Sequence, residues 1–141
     1  MGNPTIKFKL DEGAFEPVRA HATDGGADIR TPKQFVLSGR SSAIVKTGVH
    51  VELPEGTVGM LKSKSGLNVN SDIVSEGVID QGYTGEIVVK LYNHGTKPHY
   101  FHVGDKITQL VVMPVEFPTY VQADEIGGGE RGDAGFGSSG R

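Results

Sequence analysis

The sequence predicts an all-β sandwich or barrel, and three observations carry that expectation: short runs of alternating or β-branched residues, turn-forming clusters at close spacing between them, and no sustained apolar pattern at i, i+3, i+4 and i+7. At most a short helix fits, and there is no internal repeat. The 141 residues suit one domain, since a chain of this length buries roughly two thirds of the surface its unfolded form exposes.

The first strand signal is Ile6, Phe8 and Leu10 alternating with Thr5, Lys7 and Lys9. A longer alternation runs from Ala43 to Leu53, with Ala43, Val45, Val49, Val51 and Leu53 on one face and Lys46, His50 and Glu52 on the other. It predicts a single half-buried strand with a solvated His50. Ile87 to Tyr92 and Ile107 to Met113 are nearly continuously apolar and rich in β-branched residues, as strands buried on both faces would be. Ser38-Gly39, Pro54 to Gly56, Asn93 to Pro98 and Gly104-Asp105 are built from residues that take turn conformations at low cost.

The chain has no cysteine, which excludes disulfides and thiolate metal sites and suits a reducing compartment. Any metal must sit on oxygen or imidazole. With 14 basic and 17 acidic residues the net charge is -3, so there is no electrostatic footprint for nucleic acid or an anionic membrane. No apolar run approaches the roughly 20 residues that span a bilayer, and Met1 to Leu10 does not resemble a secretory signal. The expectation is a soluble, cytoplasmic protein with no nucleic-acid or membrane partner.

Three clusters could carry chemistry. Lys62-Ser-Lys-Ser-Gly-Leu67 and Gly77-Val-Ile-Asp-Gln-Gly-Tyr-Thr-Gly-Glu86 combine glycines, which let backbone approach a ligand, with lysines and hydroxyls that donate to phosphate oxygens. Asp80 there is a general base, a metal ligand or the first residue of an Asp-Gln-Gly turn; read locally, the turn is favoured. Thr23-Asp-Gly-Gly-Ala-Asp-Ile29 offers two carboxylates for a hydrated Mg²⁺, or an ordinary Asp-Gly turn that fits Asp24 better than Asp28. Arg131-Gly-Asp-Ala-Gly-Phe-Gly-Ser-Ser-Gly140 could wrap a polyphosphate with backbone donors while Phe136 stacks on a base. It lacks the Gly-Lys-Ser/Thr ending of a P-loop. From Gly127 to Arg141 the chain holds 7 of its 21 glycines and only one large apolar side chain, Phe136. Such a segment cannot pack a core, so it is a frayed terminus or a mobile flap that orders on a ligand.

Taken in order, these clusters resemble the five motifs of the trimeric all-β dUTP pyrophosphatases from about Ala22 to Ser139: Gly26-Ala-Asp-Ile29, Ser63-Lys-Ser-Gly-Leu67, Gly77 to Gly85, Gly104-Asp-Lys-Ile-Thr-Gln-Leu110 and Arg131 to Ser139. Order and spacing make the match specific, as no single motif would. The resemblance implies a distorted jelly roll of β-clip type at residues 1–126, and a homotrimer whose active sites are shared between chains. It also implies an arm, 127–141, that closes over a site.

The same resemblance implies the residue roles. Asp80 would deprotonate the water that attacks the α-phosphorus of dUTP, Asp28 would hold Mg²⁺ through water, and Ser65 would donate to the oxygen bridging the α and β phosphates. Gln109 would contact phosphate or its ordered water, and Lys64 and Gly66 would line the phosphates, with Lys62 a second candidate cation. Tyr83 would lie against the deoxyribose, while Gly77, Val78, Ile79 and Ile87, in the hairpin from Gly77 to Leu91, would belong to the uracil site. Phe136 would stack on uracil, with Arg131, Gly137, Ser138 and Ser139 around the γ-phosphate. Family members commonly carry arginine where this chain has Lys64, a point charge in place of a bidentate fork, as in some bacterial or phage branch. A dCTP deaminase of the same fold places its catalytic glutamate ten residues after the aspartate. Here that position is Lys90, which disfavours deamination. A non-catalytic nucleotide-binding regulator is the other alternative.

Overall fold

The computed structural model describes every residue except Met1, Ser138 and Arg141. Among the described residues, ten strands and one helix follow in chain order: β1 (Lys7–Leu10), β2 (Gly26–Arg30), β3 (Phe35–Leu37), β4 (Ser41–Lys46), β5 (Val49–Glu52), β6 (Thr57–Lys62), α1 (Ser65–Ser71), β7 (Ile73–Ile79), β8 (Val88–Asn93), β9 (His99–Phe101) and β10 (Lys106–Pro114). A six-stranded sheet has the order β2-β10-β6-β7-β8-β4, and two-stranded ribbons pair β1 with β5 and β3 with β9. Both ribbons and the large sheet contribute to one core, which holds Ile29, Leu37, Val49, Leu61, Ile73, Ile87, Leu91, Phe101 and Ile107 among others. One core therefore suffices for this length.

The long alternating run from Ala43 to Leu53 keeps its inward parity, with Val45, Val49, Val51 and Leu53 all buried. It is not one strand, however. Gly48 takes a positive φ of 70°, available to glycine without the Cβ clash, and the chain turns there to leave the large sheet for the β1 ribbon. Thr47 seals the corner: its Oγ1 donates to the Ile87 carbonyl at 2.6 Å and accepts from Val49 N at 3.2 Å. A bend that moves a strand between sheets is how packed sheets form corners.

Nor is β8 buried on both faces. Val89, Leu91 and Asn93 point inward while Val88, Lys90 and Tyr92 are exposed. Its apolar content matches a two-sided strand, but its outer neighbours are the equally exposed Ile44 and Lys46 of β4. β10, second from the β2 edge, comes closer to expectation, with Ile107, Thr108 and Leu110 buried and Met113 exposed.

α1 is seven residues long and buries none of them. It ends at Asp72, whose left-handed φ of 55° and N–H bond to the Leu67 carbonyl close the last turn. Among the described residues regular structure stops at Pro114, so the irregular terminal segment starts well before Gly127. Among the described residues, every buried side-chain polar atom has a partner, and no helix is long and apolar enough to cross a membrane.

Candidate active site

Asp28 sits in β2 opposite Gln109 of β10, with a bridge to Val18 on its other side. Only 5% of its side chain is exposed, and both oxygens are engaged: Lys64 donates to Oδ1, and Lys106 Nζ lies 3.2 Å from Oδ2. Burial pushes the Asp28 carboxyl up, but the hydrogen bonds and charges of the two lysines outweigh it and hold the group below its ordinary range. Gln109 lies flat across Gly26, where an added Cβ would come within 2.3 Å of its Oε1, and donates to the Ser63 carbonyl at 2.9 Å. Ser63 is latched to β7 by two hydrogen bonds with the Ser75 backbone. Lys64, extended at the N-cap of α1, is thereby aimed back at Asp28, while Ser65 and Gly66 are exposed beside it.

Lys106 is the functional candidate missed by sequence reasoning, although it lies inside a recognised motif; its charge beside Gln109 was the available signal. Lys62 is spoken for, since its Nζ pairs with Glu76 at 2.8 Å on the strand surface.

The second group of candidates follows β7. Tyr83 N donates to the Asp80 carbonyl at 3.1 Å, and Gly82 has φ +91°. A β-turn with glycine at its third position explains both. The local turn reading of Asp80 is therefore right, and it leaves the carboxylate exposed at the turn's first position. Gln81 Oε1 accepts from Gly56 N at 2.7 Å and ties this turn to the one between β5 and β6. The Tyr83 hydroxyl donates to the Glu86 carbonyl at 2.7 Å.

Ile87 does not reach toward a ligand in this conformation. Its side chain is fully buried, its N–H donates to Val49 O, and its carbonyl accepts from Thr47 N and Oγ1. No free backbone group remains, so Ile87 anchors the hairpin rather than reading a base. His50, expected to be solvated, is instead bonded at both ring nitrogens, to the Thr84 carbonyl and to Asp11.

Between the two groups the hairpin opens. β7 and β8 pair only at Ile73↔Asn93, Val74↔Tyr92 and Ser75↔Leu91, although β7 runs on to Ile79. Beyond Ser75, β7 pairs with β6 alone, through Glu76, Gly77, Val78 and Ile79. The edges of Gly77, Val78 and Ile79 that face away from β6 thus have no strand partner, and the opening ends at the Asp80 turn.

A single chain does not unite the candidates. Ile79 pairs with Gly59 near the start of β6, whereas Lys64 and Ser65 follow its end. At a strand rise of about 3.3 Å per residue the Asp80 and Lys64 levels are about 20 Å apart. Asp28, Lys64 and Gln109 are brought together, as are Asp80 and Tyr83, and the two groups stand at opposite ends of β6. The third group is free of both. Phe136 is fully exposed, Arg131 Nη2 donates to the nearby Gly135 carbonyl at 2.9 Å, Gly137 and Ser139 are exposed, and Ser138 lies outside the described residues.

Among the described residues no three His, Cys, Asp or Glu side chains gather to form a metal cage. One lysine-paired carboxylate suits a hydrated Mg²⁺ held through water, a binding style this cation favours.

An all-β domain with a cationic patch around a buried aspartate, an opened hairpin ending on an exposed carboxylate, and a glycine-rich arm has the build of a β-sheet nucleotide hydrolase. Residues 14–140 match the dUTPase family model, and the chain belongs to that family. It is 42% identical over 138 residues to the deoxyuridine 5'-triphosphate nucleotidohydrolase of Tropheryma whipplei strain Twist, covering 94% of this chain and 93% of that one. The enzyme of the same name from Nocardia farcinica is 40% identical over 142 residues, covering 98% and 86%. Among solved structures, the Staphylococcus bacteriophage 80alpha dUTPase with dUpNHpp superposes with a TM-score of 0.88 at 32% identity, covering 99% of this chain and all of that one. A mutant dUTPase of the S. aureus phage phi11, which coordinates a structural Mg(II) ion, gives 0.81 at 30% identity over 87% and 99% of the two chains. The curled sheet is thus the jelly roll of this family.

Proposed function

We propose that the chain is a dUTP diphosphatase: it hydrolyses dUTP to dUMP and pyrophosphate with Mg²⁺, clearing dUTP and supplying the precursor of dTTP in the cytoplasm. The observation that carries this reading is the opened hairpin. Unpaired backbone at Gly77, Val78 and Ile79 can meet the Watson–Crick edge of uracil, and cytosine would leave donors facing donors. An unpaired buried polar group costs about 1 to 3 kcal/mol, enough to discriminate. The opening ends at Asp80, so a base seated there puts its phosphates near that carboxylate.

In this reading the Asp80 carboxylate accepts a proton from water, whose oxygen bonds to the α-phosphorus. The bond from phosphorus to the α,β-bridging oxygen breaks, and pyrophosphate leaves with the electron pair. Ser65 donates to the bridging oxygen as charge develops there, and Lys64, Gly66 and Gln109 position the phosphates. Asp28 would hold the water shell of Mg²⁺, which would supply neutralisation of phosphate charge, and Lys64 would turn from Oδ1 to the substrate. Tyr83 packs against the deoxyribose and leaves no space for a 2′-hydroxyl. Ile87 serves by fixing the hairpin base.

The separation of about 20 Å along β6 supports sites shared between chains, and membership of the family makes that assembly a homotrimer. The Asp80 hairpin of one chain meets the Asp28, Lys64, Ser65 and Gln109 group of a second. The arm of a third closes over both, with Phe136 on uracil and Arg131, Gly137, Ser138 and Ser139 on the γ-phosphate. Closure excludes water from the competing paths. Deamination is disfavoured because Lys90, where that chemistry needs a glutamate, points outward with Nζ 5.3 Å from the Tyr92 ring centroid.

Purified protein with Mg²⁺ should release pyrophosphate from dUTP and not from dCTP. Equal turnover of the two, or ammonia release from dCTP, would sink the proposal.

A further inference from the structure

We infer that His50 is a positioning residue whose protonated form latches the turn carrying Asp80 and Tyr83 onto β5, so that affinity for dUTP weakens as His50 loses its proton. The inference rests on the proposed role of that turn in nucleotide binding.

His50 Nδ1 lies 2.7 Å from the Thr84 carbonyl oxygen, and Nε2 lies 3.0 and 3.1 Å from the two Asp11 carboxylate oxygens. Both partners can only accept. A neutral imidazole carries one N–H, so one contact would set lone pair against lone pair; only imidazolium donates to both. Thr84 directly follows Tyr83, within the loop that begins at Asp80. Asp11 is held in turn by its own N–H to the Gly48 carbonyl at 2.8 Å. His50 thus bolts the loop to two rigid points.

Other charges face the ring. Lys9 is its cross-strand partner in β1, with the Lys7 and Glu52 pair one pleat along. Glu86, further along the loop, is turned to the backbone and accepts from Gly48 N at 3.3 Å. Hydrogen bonding to Thr84 and then to Asp11 raises the imidazole above the ordinary histidine range, against slight desolvation and the opposing charge of Lys9. Since the folded-state value is raised, the latch is complete below the ordinary value of 6.5 and is lost as pH rises through the higher folded value. The ring is 22% exposed, so solvent screens the pair with Asp11 and the effect is moderate.

The experiment compares dUTP kinetics of the wild-type protein and His50→Gln between about pH 6 and about pH 9, alongside NMR titration of the histidine ring and of the Thr84 and Gly85 amides. Ionisation of the nucleotide is common to both proteins and cancels in the ratio. The wild-type KM, divided by that of His50→Gln, should rise about three- to tenfold across this range while the kcat ratio stays level. The Thr84 and Gly85 amides should titrate with the His50 midpoint. Asp11→Asn should lower that midpoint, and it keeps the test open if His50→Gln does not fold. A flat KM ratio, a midpoint at or below the ordinary value, or a midpoint unmoved by Asp11→Asn overturns the latch. Absence of dUTP hydrolysis would remove the proposed function while the titrations still decide whether the latch exists.

Discussion

The phenol of Tyr83 lies so closely over Gly85 that a Cβ on the glycine would come within 2.5 Å of its hydroxyl oxygen and 2.6 Å of the ring carbon bearing it. Gly85 shows no positive φ, so its role is space and not backbone freedom. Gly85→Ala should push the ring out of place at little cost in stability, because Tyr83 is 45% exposed and its hydroxyl end can swing away. If Tyr83 is the sugar platform, KM for dUTP rises about tenfold and preference over UTP narrows. Tyr83→Ala should mask the effect of Gly85→Ala, because both act through one ring. Steady-state kinetics on dUTP and UTP for the two single variants and the double variant check this, and additive effects would exclude a shared ring.

Asp80→Asn keeps the side chain's size and its place at the head of the turn while removing the base. Tight dUTP binding with Mg²⁺ should survive in calorimetry, and kcat should fall by about 10² to 10⁴. Gln81→Ala is the companion control. It removes only the acceptor for Gly56 N at 2.7 Å, so it should lower kcat far less than loss of the carboxylate does. Unchanged kcat in Asp80→Asn would refute the general-base role.

Alternation at Phe8 and Leu10 and the β-branched runs near Val89 and Leu110 were legible because a side-chain period of two is a local property of strands. The corner at Gly48 was not, since parity continues through it and only the change of sheet partner reveals the break. β2, β6 and β7 were obscured by Gly26, Gly59 and Gly77. Those glycines make room for Gln109, Leu110 and Leu61 respectively, which are facts of packing. Order among motifs singled out Asp28, Lys64, Asp80 and Tyr83 as candidates, but no local signal could pair Lys106 with Asp28. His50 was misread for the same reason: Asp11 and Thr84 are 39 and 34 residues away in sequence.

Asp28 makes the acid limit of stability predictable. Its folded carboxyl is held below the ordinary value of 3.8 by Lys64 and Lys106 despite burial. A depressed folded value contributes stability that is present above the unfolded value and is lost as pH falls through the folded one. Thermal melts below about pH 4 should therefore fall steeply in the wild-type protein and less steeply in Asp28→Asn. At neutral pH Asp28→Asn should melt lower, because it leaves two neighbouring ammonium groups without their carboxylate. Parallel acid slopes in the two proteins would show that Asp28 is not the linked group.

The arm offers the sharpest test of a divided site. Every described residue from Gly127 to Gly140 is exposed, so ending the chain at Ile126 should leave the melting temperature and the oligomer, measured by light scattering, unchanged. Activity on dUTP should fall to a small residue, and full activity would refute the closing role. Mixing decides which chain the arm serves. A chain ending at Ile126 keeps Asp80 and lacks the arm, whereas full-length Asp80→Asn keeps the arm and lacks the base. If an arm closes over a neighbour's Asp80, co-refolded mixtures regain a substantial fraction of wild-type activity that neither parent shows. If each arm serves its own chain, no mixed assembly contains a complete site and the mixture stays as inactive as its parents.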